Sequence, residues 1–137
     1  MYERPFTLEI IAPDRVVYRG EATSFSAPGV EGGFQVLVDH APLLSALGVG
    51  ILTVKQADGR DVRYASSGGF AEVRDNKVIV LVESAELKGE IDVKRAEASR
   101  DRAHNRIHSH DREVDQERAR ASLYRALNRL RVASIGW

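Results

Sequence analysis

The stretch Lys77–Ala103, KVIVLVESAELKGEIDVKRAEASRDRA, changes texture midway. KVIVLVE is apolar at nearly every position and rich in β-branched residues. That predicts a central strand covered on both faces. After AELKGEI the composition turns to Ala, Arg and Glu. Glycine does not recur until Gly136, and proline does not recur at all. This is helix composition. The chain therefore divides into a strand-forming part, residues 1–87, and a helical part, residues 88–137.

Working back from Lys77, short runs read as strands: FTLEIIA, RVVYR, ATSFSA, FQVLV, GILTVKQ, DVRYASS and FAEVR, with KVIVLVESA the eighth. Turn residues separate them at PGVEGG, GVG, ADG, GG and DN. Short strands at this spacing predict a β-sandwich or barrel. Asp58-Gly59 and Asp75-Asn76 read as hairpin turns, because these residues tolerate positive φ.

Working forward, Asp92 is placed to N-cap a helix running to about Arg106 or Ile107. HSHDRE is a polar turn. Asp115 is placed to cap a second helix ending near Ala133, with Val114 and Ala119 at staple positions. Ala119, Leu123, Ala126, Leu127, Leu130 and Ala133 form one apolar stripe on it. The first helix has only Ala96, Ala103 and Ile107. So thin a seam buries little area, and such a pair is marginal on its own. It has to dock on something, and on more than one thing if it moves.

The chain has 137 residues, 43% of them hydrophobic, which suits one compact domain or one small domain plus an appendage. Without cysteine there are no disulfides and no thiolate zinc sites. The opening MYERPFTLEIIAPD has no basic region leading into an apolar run, so no signal or transit peptide is read. No run approaches the ~18 apolar residues a membrane span needs. Net charge is zero, yet residues 1–87 carry 8 Lys/Arg against 12 Asp/Glu, and residues 88–137 carry 12 against 8. Two jobs, an attraction between the parts, or a scatter of solvated charges all fit this asymmetry.

The arginines sit beside the apolar faces. At about 100° per residue, Arg95 and Arg102 lie only about 20° apart on the first helix, next to Asp92, Ala96 and Ala103. Arg118, Arg125 and Arg129 fall within about 40° on the second. If the hairpin closes along its Ala/Leu stripes, guanidinium groups from both helices meet at the edge of the seam. Phosphates accept their paired N–H donors well. The competing reading is that these arginines snorkel, or pair with Glu97, Asp101 and Glu117 along the helices.

SSGGF lacks the Lys-Ser/Thr of a phosphate-binding loop and leads into no helix, so binding without hydrolysis is expected. His104 and His108 have the i, i+4 spacing of metal ligands. The better reading is a solvated helix end, and no metal site is predicted. A basic hairpin is compatible with nucleic acid, but its arginines alternate with acids, and only Tyr124 and Trp137 are there to stack. No nucleophile–base set stands out, so no catalytic residue is assigned.

Three stretches carry a family resemblance. GGFQVLVDHAPLLSAL is similar to a Gly-aromatic-x-Val/Ile-Leu segment running into His-Ala-Pro-Leu-Leu. SSGGFAEVRDNKVIVLVESAE resembles a Gly-Gly-x-x-Glu-Val hairpin and its following strand. IDVKRAEASRDRA resembles an Ile/Leu-Asp-x-x-Arg-Ala pattern. In this order they resemble the epsilon-subunit family of bacterial F-type ATP synthases over essentially the whole chain.

The resemblance implies a flattened sandwich of about ten strands followed by an antiparallel two-helix hairpin. It implies a non-catalytic rotor subunit, with the sandwich on the gamma subunit and the c-subunit ring. The hairpin would regulate, lying on the sandwich or reaching up toward the alpha and beta subunits and blocking ATP hydrolysis. ATP would be a regulatory ligand and no cofactor is required. The family's ATP-contacting positions fall on Glu86, Ile91, Asp92, Arg95, Ala96, Arg102, Arg125 and Arg129. His40 falls on the histidine of the ring-facing loop. Val38 and Asp39 stand where the family usually has Pro-Gly or Pro-Asn, and Gly33 where some members are acidic. The implied location is the cytoplasmic face of a bacterial plasma membrane, or a thylakoid, reached only through the complex. A free-standing nucleotide sensor and a rigid structural adaptor are the alternatives from other classes.

Overall fold

The computed structural model describes residues 4–135. Met1–Glu3, Gly136 and Trp137 lie outside the described residues, and with them the stacking role considered for Trp137. Among the described residues there are nine strands: β1 Phe6–Ala12, β2 Arg15–Ala27, β3 Phe34–Val36, β4 Leu43–Leu47, β5 Gly50–Gln56, β6 Asp61–Ser66, β7 Gly69–Arg74, β8 Lys77–Val82 and β9 Ala85–Leu87. A short 3-10 turn, Lys88–Glu90, leads to α1, Val93–Ile107, and α2, Gln116–Ser134.

The strands form one hydrogen-bonded sheet in the order β4-β7-β8-β1-β2-β5-β6-β9, with β3 also on β2. Only β1 and β8 pair in parallel; the other strand pairs are antiparallel. Leu47 and Val73 from one end of this sheet share a buried cluster with Leu52, Val54 and Tyr64 from the other. The sheet therefore folds over itself, and its inward positions make the core of the sandwich. The 13-residue β2 serves both halves, and irregularities in its pairing at Ile10/Ile11 and Ala22/Ser24 let it bend.

Several strand assignments change. RVVYR and ATSFSA are one strand, because Gly20 stays in register opposite Leu8. LLSAL, not among the runs read as strands, is an edge strand bonded to β7. KVIVLVESA breaks at Glu83-Ser84 into β8 and β9. β8 is central, as expected, but not covered on both faces. Val78, Val80 and Val82 are buried, whereas Leu81 is 53% exposed and Ile79 is half-buried.

The two hairpin turns form as read: Asp75 and Asn76 both have positive φ between the paired Arg74 and Lys77, and Gly59 has φ +90. In the helices, Asp92 accepts from the Arg95 backbone N–H and Asp115 from that of Arg118, both at 3.1 Å. These caps satisfy donors that the first helical turn leaves open. The helices run antiparallel: Gln116, at the start of α2, donates to the carbonyl of Arg106 near the end of α1. Ala96, Ala103, Ala119 and Ala126 are buried. Leu127 leaves the stripe and is 44% exposed.

The hairpin lies on the sandwich through α2. Val132, fully buried, packs with Ala65 of β6 and with Ile91, flanked by Ile51 and Ala133. That cluster has three buried members against the eighteen of the sandwich core. At about 1.5–3 kcal/mol per buried branched side chain, the hairpin is fastened by only a few kcal/mol of apolar contact.

Candidate functional site

β9, the 3-10 turn, the start of α1 and the middle of α2 converge on one cavity of about 270 Å³. Glu86, Glu90, Asp92, Arg95, Ala96, Ser99 and Arg129 line it. Each arrives for a local reason. Glu86 is on β9. Asp92 is the α1 cap, so Arg95 and Ala96 sit in its first turn, and Ser99 follows one turn later. Arg129 is brought in because Val132, three residues on, pins α2 to the sandwich.

The cavity brings together five of the eight positions singled out from the sequence: Glu86, Asp92, Arg95, Ala96 and Arg129. The other three lie around it. Arg125 lines a small adjoining pocket of about 10 Å³ that also holds Glu86, Asn128 and Arg129. Arg102 lies further along α1, where its guanidinium donates to Ser99 Oγ at 3.1 Å. Ile91 is buried in the docking cluster beneath, and presents no side chain to the cavity.

The acids here are already engaged. Glu86 Oε1 accepts from Arg129 Nε at 2.6 Å. Glu90 accepts from Arg15 and from the Leu87 backbone N–H, each at 2.9 Å. Those two contacts, Leu87 first, hold its carboxyl below the ordinary glutamate value. Asp92 is committed to its cap. Among the described residues Arg95, Arg102, Arg118 and Arg125 form no ion pair, and the anticipated pairing along the helices is limited to Arg100 with Asp101. Of the two arginines that line the cavity, Arg129 is paired with Glu86, and among the described residues Arg95 forms no ion pair.

Sequence reasoning missed Glu90, Ser99, Asn128 and Val132. Ser99 is one helical turn from Arg95 and so shares its face. Asn128 donates to the carbonyls of Gly50 and Ser66, at 2.7 and 3.4 Å, and ties α2 to two strands. The signals for Glu90 and Asn128 lie in tertiary contacts, outside the reach of periodicity.

Two further surfaces stand out. Ala46, Phe70, Leu81, Ile11 and Val16 are successive cross-strand neighbours on β4, β7, β8, β1 and β2. Phe70, Leu81 and Val16 are 57%, 53% and 45% exposed, so an apolar row crosses the uncovered face. At the loop before β4, His40 Nδ1 donates to the Ala41 carbonyl at 2.6 Å. Its neighbour Asp39, at φ 57, pairs with Arg4 at 2.6 Å. The backbone N–H of Asp39 also donates to Asn76 in the β7–β8 turn. His104 and His108 stack obliquely, ring centres 4.5 Å apart. Among the described residues no group of three or more His, Asp or Glu is placed to hold a metal ion. No helix in them is long and apolar enough to cross a membrane.

Comparison with known proteins places this geometry. Residues 5–88 match the family described as ATP synthase, Delta/Epsilon chain, beta-sandwich domain, and residues 90–134 match the long alpha-helix domain of the same chain. An ATP synthase epsilon chain of Salinibacter ruber is 52% identical, over 93% of this chain and 91% of that one. One of Syntrophomonas wolfei is 45% identical over 83% of each. A chain in the mitochondrial ATP synthase of Euglena gracilis, solved with OSCP, F1 and c-ring, superposes with a TM-score of 0.79 at 25% identity. It covers 90% of this chain and 78% of that one. A chain from the central stalk and c-ring of the Tetrahymena thermophila enzyme shares the fold, at a TM-score of 0.66 and 15% identity. The chain belongs to the ATP synthase delta/epsilon family, among its epsilon chains.

Proposed function

We propose that this chain is a non-catalytic rotor subunit that couples proton flow to rotation and restrains ATP hydrolysis through its hairpin, whose closed form is stabilised by bound ATP. The observation that carries the nucleotide reading is that Arg95 from one helix and Arg129 from the other line a single cavity at the junction with the sandwich. A triphosphate there accepts from guanidinium groups of both helices and so binds only the closed arrangement. Arg125 and Arg102 are the nearest further donors. A ligand that prefers one of two states shifts the balance by its differential affinity. The thin docking cluster under Val132 keeps the two states within reach of that shift.

The partner reading rests on two surfaces. The apolar row from Ala46 to Val16 seats the sandwich on the gamma subunit, and the loop bearing His40 faces the c-subunit ring. In the extended state the basic α2 meets the alpha and beta subunits. Membrane association is then indirect, at the cytoplasmic face of a bacterial plasma membrane.

The test is titration of the full chain with ATP, followed by reconstitution into an ATP synthase lacking its epsilon chain. ATP should bind and slow amide exchange in α1 and α2, and the chain should lower hydrolysis less when ATP is abundant. Absence of both binding and altered exchange removes the nucleotide role. Failure to co-purify with gamma removes the rotor role.

A further inference from the structure

Arg15, the first residue of β2, grips the linker from 75 positions away. Its Nη1 donates to Glu90 Oε2 at 2.9 Å, and its Nη2 reaches the Ala85 carbonyl at 2.8 Å and Glu90 Oε1 at 3.5 Å. Glu90 Oε1 also accepts from the Leu87 backbone N–H. One carboxylate thus closes its own 3-10 turn while the sandwich clamps it. Lys88 of the same turn donates to the carbonyl of Ile135, just past the end of α2.

Glu90 is a wall between two cavities. On one side are Arg95 and Arg129. On the other, in an open groove of about 640 Å³, are Arg15, Asp14 and Glu83. Arg15 does not line the first cavity. Two residues after Glu90 comes Asp92, whose cap decides where α1 starts and hence where Arg95 points. Glu86 and Arg129 are held separately, by β9 and by the docked α2.

We propose that Arg15 is a positioning residue for this cavity: by clamping Glu90 to the sandwich it sets the start of α1, and so the distance between the arginines of the two helices. The proposal rests on the nucleotide reading above. A planar guanidinium serves both Glu90 and the Ala85 carbonyl at once, which a lysine ammonium does with less geometric definition. The mutual perturbation of the pair agrees with it. Glu90 raises the Arg15 value, and Arg15 is the second cause, after Leu87, of the lowered Glu90 value.

The experiment uses the full chain as wild type, Arg15→Ala, Arg15→Lys, Glu90→Ala, the Arg15→Ala/Glu90→Ala double variant, and Arg95→Ala as a variant inside the cavity. Two quantities are read: ATP affinity by calorimetry, and exchange of the Arg95 and Ala96 amides without nucleotide. Arg15→Ala should weaken ATP binding about three- to fivefold, as expected for a half-exposed ion pair. It should also speed exchange in the first turn of α1 while β7 and β8 keep their protection. Arg15→Lys should recover part of both effects. In the Glu90→Ala background, Arg15→Ala should have a much smaller effect on both, since only its bond to the Ala85 carbonyl is left to lose. Unchanged exchange and affinity in Arg15→Ala, or a full additional loss in the double variant, overturns the proposal. If wild type binds no ATP, the nucleotide reading fails, and exchange at Arg95 and Ala96 decides the positioning role by itself.

Discussion

Nε of Arg129 lies 2.6 Å from Oε1 of Glu86, joining α2 to β9 across 43 residues of chain. The contact uses Nε, the inner edge of the guanidinium, and Arg129 also lines the cavity. Glu86 thereby orients Arg129 as well as neutralising it. The pair is about one-third exposed on the arginine side and one-quarter on the glutamate side. Glu86→Ala and Arg129→Ala should each loosen the closed hairpin. The double-mutant cycle should show a coupling of about 0.5–1.5 kcal/mol, discounted for solvent screening. Exchange of α2 amides measures it.

Val132 is the buried centre of the docking cluster. Val132→Ala should cost about 1–3 kcal/mol of docking free energy by the loss of packing and the void left behind. The sandwich has its own core and should keep its thermal midpoint. A cysteine pair across α2 and β5, scored for cross-linking yield, separates undocking from unfolding.

Asn128 gives a polar counterpart to that cluster. Replacing it by Leu removes two hydrogen bonds and leaves the carbonyls of Gly50 and Ser66 without this donor. The expected loss is about 1–2 kcal/mol of hairpin closure. Faster amide exchange in α2, with unchanged exchange in β5 and β6, is the expected signature.

Gly69 tests the sandwich instead. A Cβ built there would stand 1.9 Å from the Leu81 carbonyl oxygen, and its φ is +155. Gly69→Ala forces β7 away from β8, next to Ala71 and Val80 in the core. A drop in stability above about 2 kcal/mol is expected. Urea unfolding followed by the sandwich signal gives the value.

The pH response of the linker follows from Glu90. Its carboxyl is held below the ordinary glutamate value by the Leu87 N–H and then by Arg15. A depressed folded-state value contributes stability that is fully present above the unfolded value and is lost as pH falls through the folded one. Linker protection should therefore persist at neutral pH and disappear on the acid side of the ordinary carboxylate range. In Arg15→Ala the transition should move to higher pH. Exchange of the Leu87 amide against pH measures both.

Local rules made the caps and turns readable. Asp92 and Asp115 act on the backbone three residues ahead, and Asp75-Asn76 needs only its own positive φ. Strand alternation located β1, β5, β6 and β7. It failed for β4, where LLSAL follows a proline-containing loop without alternating polarity, and at Gly20, whose backbone pairs as any other residue's does. Of the cavity, Asp92, Arg95 and Ala96 share one helical face and could be read from spacing. The pairs Glu86–Arg129 and Arg15–Glu90 span 43 and 75 residues, and only the fold brings them together. Leu127 was misjudged because a helical wheel does not say how wide the partner surface is. The alanine seam is narrow, and Leu127 falls past its edge.

The parallel pairing of β1 with β8 has a consequence for synthesis. The strand made first lies between β2 and one completed some seventy residues later. On the ribosome the amino-terminal segment cannot find its second neighbour until Val82 has emerged. Pairing between strands so far apart in sequence forms slowly, because the intervening chain must be closed first. The two helices, built from near neighbours, then follow onto a platform that has only just formed.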